Sequence, residues 1–524
     1  MMVVPFSLHN SRGEAVSFPG KRQTLVCFVK EDCPTCREVM PVLGAMHAAL
    51  SEHVDVHVLG QTEAGNAVLE QEFAPPFSIL DDSSLKVSFA TDIDTVPTLF
   101  WTDADGQPLK TLVGFVREEW QALSDELNGQ VGAATTLDWD SLPAWRPGCG
   151  SLSVDPLIAE RLQAEAENSP LRARRIDIGS ADDEVEFMFD QGFSDGLPLV
   201  PPTPERVLRM LSGTRRDPQE VLAVMPPNMG EVTVEKVAIN AVMAGCKPEY
   251  MPVINTVVQA ICTDEYNIHG VMATTMGASP VIVVNGPIRE QIGMNMKLGA
   301  LGQGNRANAT IGRAVRLLIR NLGGAIPGGT ERSTLGNPMK FTMCFAEWEE
   351  RNPWTPLHVE RGFQAEDSVV TIFTMSSGPS LIVDQDSRSA AALAGTMGLC
   401  LESAFNPKAH YATDCLLVVV PEHVDTLMRD NYTKADLRQR IQEVTSRPIS
   451  ELVANDVSGT GFPAKLAAGM SAEELARPLP KFKSDEDIHI VVAGAEAGKF
   501  SGAFHGWATG EIGSISVSRK IDEL

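Results

Sequence analysis

The sequence predicts an α/β protein in two parts, a small redox domain followed by a much larger α/β domain, and three observations carry that reading. Residues 24–29 are an apolar run of strand length that leads through Lys30-Glu31-Asp32 into Cys33-Pro34-Thr35-Cys36, after which Val39, Leu43 and Met46 recur at helical spacing. From about residue 190 onward, strand-like runs alternate with helical patterns, which favours a largely buried sheet with helices on its faces. Residues 259–287 and 397–421 also share one order of signals: a helix ending near a cysteine, an Asn-containing loop, and a strand closed by proline. That order suggests an internal duplication.

At 524 residues the chain is too long for one core. The expected division is 1–130 for the redox domain, 131–190 for a linker and connecting helix, and 191–524 for the large domain. Two similar halves at 191–345 and 366–524 would make up the last. Hydrophobic residues at 43% and charged residues at 21% are those of an ordinary globular protein, with ample material for sizeable cores. The 68 acidic against 43 basic side chains leave a net charge of −25, which repels phosphate backbones and anionic lipid. Nucleic acid and membrane are therefore not expected partners. The opening residues show no basic, apolar leader pattern, no run is long enough to span a membrane, and the nine cysteines are odd in number and mostly scattered. A reduced, cytoplasmic protein with one redox pair is expected.

A strand, a short turn, CxxC and a helix form the arrangement that thiol chemistry needs. The helix N-terminus offers unpaired N–H groups and a positive dipole end to a thiolate on Cys33, and Cys36, one turn in, is placed to resolve a mixed disulfide. Pro34 suits the first helical position, where a missing N–H is no loss. A zinc site would need a second cysteine pair or a Cys/His pair at ligand spacing, and none follows. Cys27 lies inside the strand and reads as a small buried hydrophobe. No metal and no cofactor is expected.

Thr95-Val96-Pro97-Thr98 precedes the apolar 99–101, and Asp103 to Gly106 reads as a hairpin turn before 111–115. Together with the CxxC, Pro5 to Glu14 and Pro76 to Asp82, these segments resemble thioredoxin-like proteins, in the branch related to peroxiredoxins, over residues 5–128. The resemblance implies a cis-proline at Pro97 lying beside the CxxC. Peroxidases of that branch carry Thr-x-x-Cys where Asp32-Cys33 and Cys36 stand, so a peroxidase is not the expectation.

At the junction, Cys149 stands between Gly148 and Gly150, which permit close backbone approach and leave the thiol exposed. It reads equally well as a mobile substrate thiol for the CxxC and as an unemployed cysteine.

In the large domain several loops are rich in groups suited to a site. Asp195 lies in the proline-rich 193–203, and Lys236 and Asn240 share one helix face. Cys246 stands at a helix end and His269 in the loop after Asn267. Asn305 and Arg306 follow a Gly-rich loop that feeds a helix, an arrangement suited to an anion, and Lys499, Ser501 and His505 follow a late strand. Each of these is individually as well a cap, a salt bridge or a core residue. The loops at 193–203, 267–275, 302–310 and 494–507 are expected to gather at one sheet edge around one cavity. Asp195 to Thr203, Glu235 to Cys246 and Gly304 to Thr310 resemble a bacterial family associated with proteins named for a selenocysteine-Gly-Ser-Cys motif. Cys149-Gly150-Ser151 matches its first three positions with cysteine for selenocysteine, and Leu152 departs from the final cysteine. That resemblance brings no reaction with it.

The function expected is a thiol-dependent oxidoreductase. Cys33 attacks, Cys36 resolves, and the large domain binds a small-molecule substrate, anionic where the Gly-rich loop receives it. A dithiol reductant or thioredoxin-type reductase is the expected partner, and a homo-oligomer is compatible with the sequence. Two alternatives stand beside this: a lyase or hydrolase using Cys246, His269 and acidic partners, and a binding protein that senses redox state.

Overall fold

The computed structural model describes residues 2–166, 169–176, 178, 183–510 and 512–522. The chain forms two compact units, Met1–Ile176 and Asp177–Leu524. The first runs well beyond residue 130 because residues 139–154 pack back onto it. Part of the junction expected over 131–190 lies outside the described residues.

In the first unit β1 (Phe6–His9) and β2 (Ala15–Phe18) make a hairpin. There follow β3 (Thr24–Val29), α1 (Pro34–Leu50), β4 (Asp55–Gly60), α2 (Glu63–Phe73), β5 (Leu80–Asp81), α3 (Lys86–Ala90) and β6 (Thr95–Val96). Then come β7 (Thr98–Thr102), β8 (Pro108–Val113), β9 (Phe115–Val116) and α4 (Arg117–Val131). The sheet order is β5-β4-β3-β7-β8, with β3, β4 and β5 parallel and β7 and β8 antiparallel. Every residue of β3 and β7 is buried, which is why both strands read as unbroken apolar runs. Val39, Leu43 and Met46 of α1 and Trp120, Leu123 and Leu127 of α4 complete this core. The succession β3–α1–β4 then β7–β8–α4, in the order β4-β3-β7-β8, is the thioredoxin-like fold. After α4 the chain returns as β10 (Trp145–Arg146) on β9 and β11 (Cys149–Gly150) on β6, and ends in α5 (Pro156–Ala166).

The second unit opens with α6 (Glu184–Asp190), α7 (Pro204–Leu211) and a ribbon of β12 (Val221–Met225) and β13 (Gly230–Thr233). Next are α8 (Val234–Ala244), α9 (Met251–Ile261), α10 (Ile268–Ala273), β14 (Ser279–Asn285), α11 (Ile288–Gln291) and α12 (Arg306–Asn321). They lead to β15 (Cys344–Ala346), α13 (Leu357–Glu360) and the long β16 (Val369–Val383). After these lie α14 (Ala390–Leu401), β17 (Thr413–Val419), α15 (Pro421–Met428) and α16 (Lys434–Thr445). An excursion pairs β18 (Arg447–Pro448) with β19 (Pro478–Leu479) around α17 (Ile449–Leu452), α18 (Ala464–Ala467) and α19 (Ala472–Ala476). The chain closes with β20 (Ile488–Val492), β21 (Phe500–Ala508) and β22 (Val517–Lys520).

One sheet of order β15-β14-β16-β21-β17-β20, with β22 also on β16, organises this unit. Alternate residues serve opposite faces: Leu417 and Val419 pack with α14 and α16, whereas Leu416 and Val418 pack with Phe373 and Phe504. The order reads the same from both ends. β14 has β15 parallel on one side and β16 antiparallel on the other, and β17 has β20 parallel and β21 antiparallel. α9 and α10 come before β14 in the chain, and α14 before β17. β16 and β21 pair antiparallel in the middle of this sheet.

Candidate active site

Cys33 is the N-cap of α1, and its Sγ accepts from the Cys36 N–H at 3.3 Å. The Lys30 N–H lies 3.3 Å from Cys36 Sγ. Pro97 follows a cis peptide bond from Val96, whose carbonyl oxygen is 3.4 Å from Cys33 Sγ. Pro97 thus stands where the thioredoxin resemblance implies.

The structure brings Cys149 to the same place. β11 pairs antiparallel with β6, Cys149 opposite Val96 and Gly150 opposite Thr95, so Cys149 stands beside the residue whose carbonyl meets Cys33 Sγ. The thiol is half-buried rather than carried on a free arm. A strap over residues 139–154 holds it. Arg117 N–H donates to Ala144 O at 3.0 Å, Thr35 Oγ1 to Pro147 O at 2.5 Å, and Lys30 Nζ to Gly150 O at 3.1 Å. Arg146 pairs with Glu38 at 3.3 Å. Beyond Cys149, Ser151 N–H reaches Asp94 O at 2.9 Å, and the buried Gln61 amide donates to Ser151 Oγ at 2.6 Å while accepting from Leu152 N–H at 3.0 Å. Ser153 Oγ bonds Ile93 O at 2.8 Å. A Cβ on Gly148 would stand 2.3 Å from Thr95 Cγ2 and 2.8 Å from Val96 O, so only glycine allows this approach.

The electrostatics separate the three thiols. The hydrogen bond from the Cys36 thiol holds Cys33 down at about 5 against the effect of burial, helped by the Cys149 thiol and the Cys36 and Thr35 N–H groups. Burial, then the bond given to Cys33 and the charge there, pushes Cys36 far up. Burial and the neighbouring Cys33 push Cys149 up to about 11. The ready nucleophile is therefore Cys33, with two protonated thiols beside it. Cys27 is fully buried and pushed well above the thiol range by burial alone, as expected of a core side chain.

The residues predicted in the second unit do not form one site. Asp195 makes a two-pronged ion pair with Arg313 of α12, at 2.8 and 2.9 Å. Lys236 Nζ bonds Glu231 O, and Asn240 accepts from Asn321 Nδ2. Asn305 caps α12, Arg306 holds the carbonyls of Gly245 and Cys246, and the Cys246 thiol donates to Thr310 O. All are side chains that fix loops and α8 to α12. Burial pushes Cys246 up to about 12, His269 is exposed on α10, and no hydrogen bond joins the two among the described residues. The lyase or hydrolase alternative therefore loses its dyad.

A cavity of about 250 Å³ does lie where the parallel strands β17 and β20 end, the position at which open α/β sheets gather ligands. It is lined by residues 299–301 and 493–495, together with Val420, Gly498 and Ser501. Nothing from 193–203, 267–275 or 302–310 lines it, because those segments are tied down along α12 and α10. Ser501 is fully buried. Its hydroxyl donates to His423 Nδ1 at 2.7 Å, since His423 Nε2 faces the Asp384 carbonyl at 3.1 Å and must carry the proton there. Lys499 Nζ reaches Gln385 O, and the buried His505 has no partner for Nε2 among the described residues. His423, Gln61 and Gly148 carry contacts that periodicity does not reveal. Only the Gly148-Cys149-Gly150 pattern signalled the strap. Among the described residues no group of three or more His, Cys, Asp and Glu is gathered as metal ligands, and no helix is long and apolar enough to cross a membrane.

No protein-family model and no curated protein matches this chain. Solved structures match about a quarter of it. The thiol:disulfide interchange protein DsbE of Chlorobium tepidum is 20% identical over 25% of this chain and 96% of its own, with a TM-score of 0.23. StoA of Bacillus subtilis is 22% identical over 24% and 96%, with a TM-score of 0.22. The bacterioferritin comigratory protein of Xanthomonas campestris is 12% identical over 24% and 91%, also at 0.22.

Proposed function

We propose that the first unit is a thiol–disulfide oxidoreductase that exchanges electrons with Cys149 of its own chain, and that the second unit binds the small molecule the chain serves. The register that sets Cys149 opposite Val96, whose carbonyl oxygen is 3.4 Å from Cys33 Sγ, carries this reading. With Cys149 in a mixed disulfide with an external thiol, the Cys33 thiolate attacks the Cys149 sulfur. The Cys33–Cys149 bond forms and the external thiolate leaves. Cys36 then gives up its proton and attacks Cys33. A Cys33–Cys36 disulfide forms and Cys149 departs as a thiolate that takes up that proton. Two electrons have passed from the dithiol to the external thiol, and an external dithiol restores Cys33 and Cys36. The cavity beside Ser501 supports a binding role for the second unit.

Cys36→Ser removes the resolving thiol. After oxidation, peptide mass spectrometry should show Cys33 joined to Cys149. Cys33 joined only to other cysteines or to external thiols would remove Cys149 from the mechanism.

A further inference from the structure

Cys33 and Cys36 are fully buried in the reduced chain, although a dithiol that serves outside partners needs an accessible sulfur. The strap covers them. It lies as an added strand on β6, and strand addition of this kind is also how an extended peptide is recognised on a free sheet edge. The edge at Val96, next to the Cys33 sulfur, is thus already occupied, by a segment whose cysteine stands opposite Val96. Three features fit the strap to this place: Gly148, which alone fits against Val96; Gln61, buried and bonded to both Ser151 and Leu152; and Thr35 and Lys30, which hold the carbonyls on either side of Cys149.

We infer that the strap sets substrate class. It excludes protein disulfides from Cys33, and Cys149, the one of the three thiols with exposed surface, is the port through which small-molecule disulfides are reduced. This rests on the exchange proposed above. A small disulfide R–S–S–R is attacked by Cys149 as the Cys149 proton passes to the neighbouring Cys33 thiolate; the Cys149–S–R bond forms, and the departing R–S⁻ takes that proton back from Cys33. The exchange through Cys33 and Cys36 then releases the second, so two electrons and two protons reduce one disulfide to two thiols. A protein disulfide needs an extended segment beside Val96 and finds that edge filled.

The test uses the full-length chain recycled by dithiothreitol, with insulin as protein disulfide and bis(2-hydroxyethyl) disulfide as small one. Gly148→Val pushes the strap off β6. Insulin reduction and Cys33 alkylation by iodoacetamide should then each rise about ten-fold, while reduction of the small disulfide falls. Gln61→Ala cuts the bonds to Ser151 and Leu152 and should move the same readouts in the same direction, so it decides the matter should Gly148→Val fail to fold. Unchanged insulin reduction and Cys33 alkylation in folded Gln61→Ala or Gly148→Val would overturn the inference, even where Cys36→Ser traps the Cys33–Cys149 disulfide. Conversely, faster insulin reduction without any trapped Cys33–Cys149 bond would overturn the exchange and leave the strap as a cover only.

Discussion

Cys149 stands in register with Val96, and the Val96 carbonyl oxygen is 3.4 Å from the Cys33 sulfur. A residue 116 positions along the chain from Cys33 is thereby fixed at the redox centre by backbone pairing rather than by chance proximity of side chains.

Cys33 should titrate far below the other thiols. Only the thiolate alkylates, so the Cys33 rate should stay level from neutrality downward and fall as pH drops through about 5. Cys149→Ala deletes one donor to that sulfur and should move the midpoint upward. The folded value lies below the unfolded one, so the reduced chain carries stability above about pH 9 that is lost as pH falls toward 5. Iodoacetamide kinetics against pH, with peptides resolved by mass spectrometry, check the assignment. A lower midpoint at Cys36 would refute it.

The first unit should be more stable with its strap than without it. A fragment of residues 1–176 should unfold in one cooperative transition at a higher temperature than a fragment of residues 1–130, which lacks β10, β11 and the bonds to Gln61. Calorimetry of both decides this. Equal midpoints would mean that the strap contributes nothing to stability.

Asp195 should prove structural. Asp195→Ala strands the largely buried Arg313 guanidinium, and a loss of about 3 kcal/mol is expected in urea unfolding of the full chain. Reduction of small disulfides by the folded variant should be unchanged. A selective loss of turnover at unchanged stability would return Asp195 to the list of site residues.

Ser501→Ala leaves the buried His423 Nδ1 without its donor and should destabilise by about 1–3 kcal/mol. Ser501→Thr keeps the hydroxyl and should recover part of that loss if the methyl is accommodated. Thermal melts of both variants and the parent give the comparison.

The fold of both units was legible because hydrophobic pattern records burial. β3 and β7 are covered on both faces and read as continuous apolar runs, and β14, β17 and β20 read the same way for the same reason. The Cys33–Cys36 spacing was legible because its chemistry fixes it, whereas Pro97 came from the thioredoxin-like resemblance. β11 was not, since two residues have no period and only the flanking glycines mark it. Glycine there is a matter of what lies opposite, Val96 O and Thr95 Cγ2, and no local pattern contains that. The scattered polar residues of the second unit misled for a related reason. Asp195, Arg306 and Cys246 look available in sequence, and their partners Arg313, Gly245 and Thr310 are supplied by tertiary packing along α12.

The seam between β16 and β21 has a consequence for how the second unit can be divided. The two strands satisfy each other's backbone groups there, and β22 adds a second pairing to β16 from the C-terminal side. A nick in residues 384–389 leaves both pieces in one sheet, so the cut protein should migrate as a single particle until denatured. Expressed separately, each piece would present a bare strand of nine residues or more, with its N–H and C=O groups open to the first complementary edge it met. Co-expression should therefore keep more of either piece in solution than separate expression does.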